Sequence, residues 1–126
     1  MGDRVPVDFK IDHHKRFVYA RAHGTVVLQE ILDYFDAVTM QDAASYPKLF
    51  DARDMVPELS DDDVMVLGAR VSAYAAFDPR GAVAAVAVTP ESRDGVRRYM
   101  NFAGASRPMR LFDSIDEARD WLLGNP

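Results

Sequence analysis

Apolar and polar side chains alternate near the start of the chain, where Val7, Phe9 and Ile11 are interleaved with Asp8, Lys10 and Asp12. A β-rich run from Phe17 to Ala22 follows the polar stretch Asp12-His13-His14-Lys15, and the two runs predict a hairpin. Gly24 then reads as a strand break and Thr25 as the N-cap of a helix. Leu28, Ile31, Leu32, Phe35 and Val38 fall at three- and four-residue spacing and form its apolar stripe, with Glu30, Asp33 and Asp36 toward water.

After Pro47, Lys48 to Ala52 predicts a short strand around Leu49 and Phe50, then a polar connection to Ser60. Ser60 and Asp63 have capping-box spacing, and Val64, Leu67, Val71, Tyr74 and Ala75 give the next helix its buried stripe before Pro79 and Gly81 close it. Ala82 to Thr89 is apolar on both faces, as expected of a central strand covered by helices on either side. Thr89-Pro90-Glu91 is a strong helix start, and that helix is expected to reach about Ala103. Met109 to Phe112 predicts a last strand; Ser114 and Glu117 then cap a helix carrying Ile115, Ala118, Trp121 and Leu122, with Gly124 and Pro126 ending it.

The order β-β-α-β-α-β-α-β-α predicts an α/β fold: a single mixed, mostly parallel sheet of about five strands with helices packed on it through right-handed crossovers. A length of 126 residues suits one domain spanning 1–126, and 48% apolar with 28% charged residues is an ordinary globular composition. The net charge of -5 argues against nucleic acid as a partner. Absence of cysteine excludes disulfides, thiolate metal sites and thiol nucleophiles, and fits a reducing cytoplasm. The first ten residues lack the apolar region of a signal peptide, and no run is long enough for a membrane span.

Gly24-Thr25, Leu49-Phe50-Asp51-Ala52-Arg53 and Leu111-Phe112-Asp113-Ser114, the last followed by Glu117-Ala118 and Trp121-Leu122, give the whole chain a resemblance to the SpoIIAA-like or STAS-like superfamily, in particular its uncharacterised branch. That superfamily is related to anti-sigma-factor antagonists, and the resemblance implies a non-catalytic, bacterial-type regulatory module with a protein partner. In those antagonists a strand ending in Asp leads to an Asp-Ser-Ser-Gly turn whose Ser is phosphorylated. Here the matching region reads Leu59-Ser60-Asp61-Asp62-Asp63, without the Gly. Ser60 therefore has two readings, a phosphoacceptor by resemblance and a plain N-cap by position, and the three carboxylates beside it would repel a phosphate.

Other candidates come from position in the expected sheet. Asp51, Arg53 and Asp54 follow a parallel strand, and Thr89 and Glu91 leave the next at the same edge, where open α/β sheets gather ligands. The same residues also suit a local ion pair and helix caps. With Ser60, Asp61 and Asp62 they form the expected contact surface for a partner or ligand. Arg93, Arg97 and Arg98, with Arg107 and Arg110 beyond, are candidates for an anion contact or for solvated surface. Asp12, His13, His14 and His23 have metal-ligand chemistry, but neighbours on a turn seldom converge, so no metal is expected.

No short motif with a defined catalytic mechanism or cofactor is present, so neither an enzyme nor a cofactor is expected. The leading expectation is a protein-interaction or regulatory module. An alternative is a small apolar or lipid-like ligand, suggested by topological similarity to CRAL-TRIO carriers, with Met40, Met55, Met65, Met100 and Met109 as pocket lining. A third is an enzyme with Asp51 as acid, Arg53 as anion clamp and Glu91 as base. A homodimer is also open, since an edge strand and Phe9, Phe17 and Tyr19 would offer an apolar patch.

Overall fold

The computed structural model describes residues 6–75, 81–103 and 108–124. Strands β1 (Val7–Asp12) and β2 (Phe17–Val27) form the hairpin; α1 (Leu28–Met40), β3 (Lys48–Glu58), α2 (Asp61–Ala75), β4 (Val83–Val86), α3 (Pro90–Ala103), β5 (Met109–Phe112) and α4 (Ile115–Leu123) follow. The strands lie side by side in chain order, β1 antiparallel to β2 and each later pair parallel. Because the three crossovers step the same way across the sheet, connections of one hand place α1, α2 and α3 on one face. Helix α4 leaves the last strand and folds back on the other face, against β3, β4 and β5.

Period-two alternation assigns the residues to the two faces. Val18, Ala20 and Ala22 of β2 join Ile31, Leu32 and Val38 of α1 and Leu67 of α2 in the main core. Leu49, Ala84 and Val86 point the other way, onto Ala118 and Leu122 of α4. All four residues of β4 are buried, which explains its continuous apolar reading. It lies inside the sheet between β3 and β5, although β3 is the middle strand.

The first helix begins later than Gly24-Thr25 suggests. Gly24 has φ 69°, and β2 runs through it because a residue without Cβ enters the left-handed region without a clash. Thr25 pairs with Val56 in the sheet, and the helix is capped by the Glu30 carboxylate, which accepts the Val27 N–H at 2.8 Å. Strand β3 is also longer than Lys48 to Ala52. One residue of β2 between Arg21 and His23, Ala22, faces two of β3 between Asp51 and Asp54, Ala52 and Arg53, a bulge that exposes both Arg53 and Asp54 and so reads as a loop.

Phe9, Phe17 and Tyr19 do not make one patch. Phe9 packs on Tyr34 of α1 with ring centroids 5.5 Å apart, whereas Phe17 and Tyr19 belong to the α4 face. Gly81 is set by close approach: a Cβ there would lie 2.2 Å from the Tyr46 carbonyl oxygen. Pro79 and Pro126 lie outside the described residues. No helix among the described residues is long and apolar enough to cross a membrane.

Candidate functional site

Alternation in β3 turns Leu49 and Asp51 to the α4 face, and the Asp51 side chain is only 2% exposed. Its two oxygens receive four donors. Arg53 gives Nε to Oδ1 and Nη2 to Oδ2, both at 2.9 Å, and its backbone N–H reaches Oδ1 at 3.1 Å. The Tyr19 hydroxyl donates to Oδ2 at 3.2 Å. Burial pushes the Asp51 carboxyl upward, but the Arg53 side-chain and backbone bonds, the guanidinium charge and the Tyr19 bond bring it below its ordinary value. Burial and then the neighbouring carboxylate raise Tyr19 above its own.

Two further pairs continue this cluster across the sheet. Arg21 of β2 meets Asp54 at 3.0 Å, and His23 meets Asp8 of β1 at 3.1 Å. The cluster lies beside α4, which packs chiefly on β3, β4 and β5 with Phe17 and Tyr19 of β2 against the same apolar group; among the described residues no other helix packs on this face of β1 and β2. The carboxyl ends of the strands extend this uncovered area with exposed apolar side chains, Val27 at 41% and Val56 at 51%. Thr25 is paired with Val56 and Val27 with Glu58, so parallel register puts Val27 and Val56 on one face. Arg53, Asp54, Val56, Thr89 and Glu91 together line an open depression at this edge.

The expected contact residues therefore divide. Arg53, Asp54, Thr89 and Glu91 share the depression, and Asp51 is buried behind it. Thr89 caps α3, its Oγ1 accepting the Ser92 N–H at 3.1 Å and donating to Ser92 Oγ at 2.8 Å. Ser60 caps α2 in a reciprocal box: its Oγ accepts from the Asp63 N–H and Asp63 Oδ2 accepts from the Ser60 N–H, both at 3.1 Å. Asp61 is bonded to Arg98 at 3.1 Å, and Asp62 is exposed beside it.

The arginines do not converge. Arg93 donates to the Ala87 carbonyl at 3.0 Å and pairs with Asp113 beyond β5. Arg98 holds the Leu59 carbonyl and Asp61 at the start of α2, and Arg97 is exposed. Arg110 lies over the Phe112 ring, 5.3 Å from its centroid; Arg107 is outside the described residues. Of the potential metal ligands, Asp12 accepts the Lys15 N–H and His13 bonds the Tyr46 hydroxyl, while His14 is exposed and His23 is committed to Asp8. No cluster of three or more His, Asp or Glu able to hold a metal occurs among the described residues.

A partly open apolar cavity of about 80 Å3 lies elsewhere than the carboxyl edge, between the sheet and helices α1, α2 and α3. Met55 and Met109 line it and Met100 packs against the adjoining core, but Met40 at 83% and Met65 at 53% exposed are not lining residues. They sit on the outward sides of α1 and α2.

Sequence reasoning missed Arg21 and Asp8 as site residues, and it offered Tyr19 only for an apolar dimer patch and His23 only as a potential metal ligand. A signal was present: from Phe17 to His23 the small apolar residues Val18, Ala20 and Ala22 alternate with aromatic, basic and His side chains. That is the pattern of a strand covered on one face only.

Comparison with family models and with curated proteins returns no match. Among solved structures, the chain is similar to an uncharacterised protein from Shewanella loihica PV-4, of the DUF3478 family with a SpoIIAA-like fold. The TM-score is 0.62 at 17% identity, covering 97% of this chain and 98% of that one. The chain thus has a SpoIIAA-like fold: a single mixed five-stranded sheet with four helices.

Proposed function

We propose that this protein is a non-catalytic interaction module whose partner is another protein, docked on the part of this face beyond α4, formed by β1, β2 and the carboxyl end of β3, and on the adjoining start of α2. One observation carries the reading. In a mostly parallel sheet, where both faces are usually covered, part of one face is left open among the described residues, and its carboxyl end presents Val27 and Val56 beside the Arg21–Asp54 pair. Apolar side chains ringed by polar groups make the usual anatomy of a protein contact. The Arg21–Asp54 ion pair and the His23–Asp8 hydrogen bond form the rim, and Asp61 and Asp62 extend it at the start of α2.

The fold neighbour is itself uncharacterised and adds the architecture alone. Asp51 is unsuited to serve as a general acid, because its carboxyl lies below the ordinary range and its oxygens are occupied by Arg53 and Tyr19.

The test is co-purification from the source cell, followed by binding measurements on the recovered partner. The double variant Val27→Glu, Val56→Glu is expected to weaken binding at least tenfold, and Asp61→Lys with Asp62→Lys severalfold, with unchanged circular dichroism. Unaltered affinity in both variants contradicts the proposal.

A further inference from the structure

Strand β1 ends the sheet: β2 lies on one side of it and, among the described residues, no strand lies on the other. An edge strand presents a row of backbone donors and acceptors, and proteins guard such rows with proline, bulges or charge. The six residues of β1 contain no proline, and their ladder with β2 is regular from end to end. Their charges alternate in sign, with Asp8, Lys10 and Asp12 exposed on one face.

The hairpin fixes which backbone groups point outward. The His23 N–H donates to the Pro6 carbonyl at 2.8 Å, which makes Pro6 and His23 a bonded pair across the ladder. Opposed residues of antiparallel strands alternate between bonded and non-bonded pairs. Asp8, Lys10 and Asp12 therefore turn their N–H and C=O groups to β2, and Val7, Phe9 and Ile11 turn theirs away from it. The Phe9 and Ile11 side chains sit at the margin of the core and are only half-buried. Asp8 is held on the open face by His23 of its own chain at 3.1 Å.

A second copy of the same strand complements this edge. Two β1 strands related by a twofold axis normal to the sheet run antiparallel, and residues exchange bonds only where both turn outward, so odd-numbered residues face odd-numbered ones. Charge then separates the registers. With the axis at Lys10 the two lysines oppose each other and Asp8 opposes Asp12; with the axis at Asp8 the two Asp8 carboxylates oppose each other. With the axis at Phe9, Asp8 of each copy faces Lys10 of the other, Val7 faces Ile11 and the two Phe9 side chains meet. An axis at Ile11 also matches charge, Lys10 against Asp12, but sets Phe9 against His13 in the turn and shortens the paired segment.

We infer that the chain forms a twofold dimer in which β1 pairs with β1 of a second copy, centred on Phe9, to make one continuous sheet. Opposed residues share a face, so the open faces of the two copies lie on the same side of that sheet. The inference stands on the edge and its charges and is independent of the partner surface proposed above.

The test is sedimentation equilibrium of the full chain across the micromolar range, where the wild type is expected to show a concentration-dependent dimer. Lys10→Glu sets like charges against each other at both symmetry-related contacts and should weaken dimerisation roughly tenfold. Adding Asp8→Lys to Lys10→Glu restores opposite charges and should return the dimer to near its wild-type strength, whereas adding Asp12→Lys to Lys10→Glu should not. All three side chains are exposed, and circular dichroism with thermal melts verifies that the variants fold. A monomeric wild type, a dimer indifferent to Lys10→Glu, or rescue by Asp12→Lys in place of Asp8→Lys would overturn the proposal.

Discussion

Asp51 gathers four donors on two oxygens at a position that is almost fully buried, and the sign of its shift follows from that competition. Burial alone would push the carboxyl up; the guanidinium, the backbone N–H and the tyrosine hydroxyl bring it down. A carboxyl lowered in the folded state contributes stability that is fully present above its unfolded value near 3.9 and lost as pH falls through the lower folded value. Tyr19 has the opposite sign: its contribution is complete below about 10 and is lost as pH rises through the raised folded value. Arg53 is half exposed and finds water when its partner is neutralised, so Asp51→Asn should cost only about 1–2 kcal/mol near neutral pH. Urea denaturation over a pH series checks this: the gap between wild type and variant is expected to stay constant from pH 6 to 8 and to shrink below about pH 4. A gap that widens on acidification would contradict the assignment.

At the scale of elements, helix starts are set by short-range chemistry and were legible where a side-chain oxygen lies three residues from its target. Ser60, Thr89 and Ser114 cap as their spacing predicts. Ser60→Ala should therefore lower stability by about 1 kcal/mol, measured as a shift in urea midpoint at unchanged slope. An effect near zero would mean that Asp63 alone satisfies the first turn. Helix α1 misled because its cap is the Glu30 side chain reaching back to Val27, while Gly24, the conspicuous residue, serves a positive φ inside a strand. Strand β3 was truncated in the sequence for a similar reason. A bulge resets the alternation, so Arg53 and Asp54 are both exposed and the buried Met55 beyond them looks isolated.

At the scale of the whole molecule, order and layer were readable because hydrophobic period and connection length decide them locally. Parts of the site were not. Asp51, Arg53 and Asp54 were legible as site candidates although they lie inside β3 and not beyond it, yet Arg21, His23 and Asp8 join them only through the pairing of β1, β2 and β3. The basic residues of α3 lie near one another in sequence, but Arg93 turns toward β5 and Arg98 toward α2. The cavity beneath α2 has no sequence signature, since Val71 and Ala85 are ordinary core residues until their separation is known.

The open part of the sheet face is the feature on which the functional account rests, and α4 is too short, at nine residues, to cover all five strands. Site-specific photocrosslinking in the source cell tests it most directly, with a benzophenone amino acid placed either at Val56 on that face or at Asp33 on the solvent side of α1. The account predicts a discrete heavier adduct from position 56 and none from position 33. No adduct at position 56, or the same adducts from both positions, would contradict it.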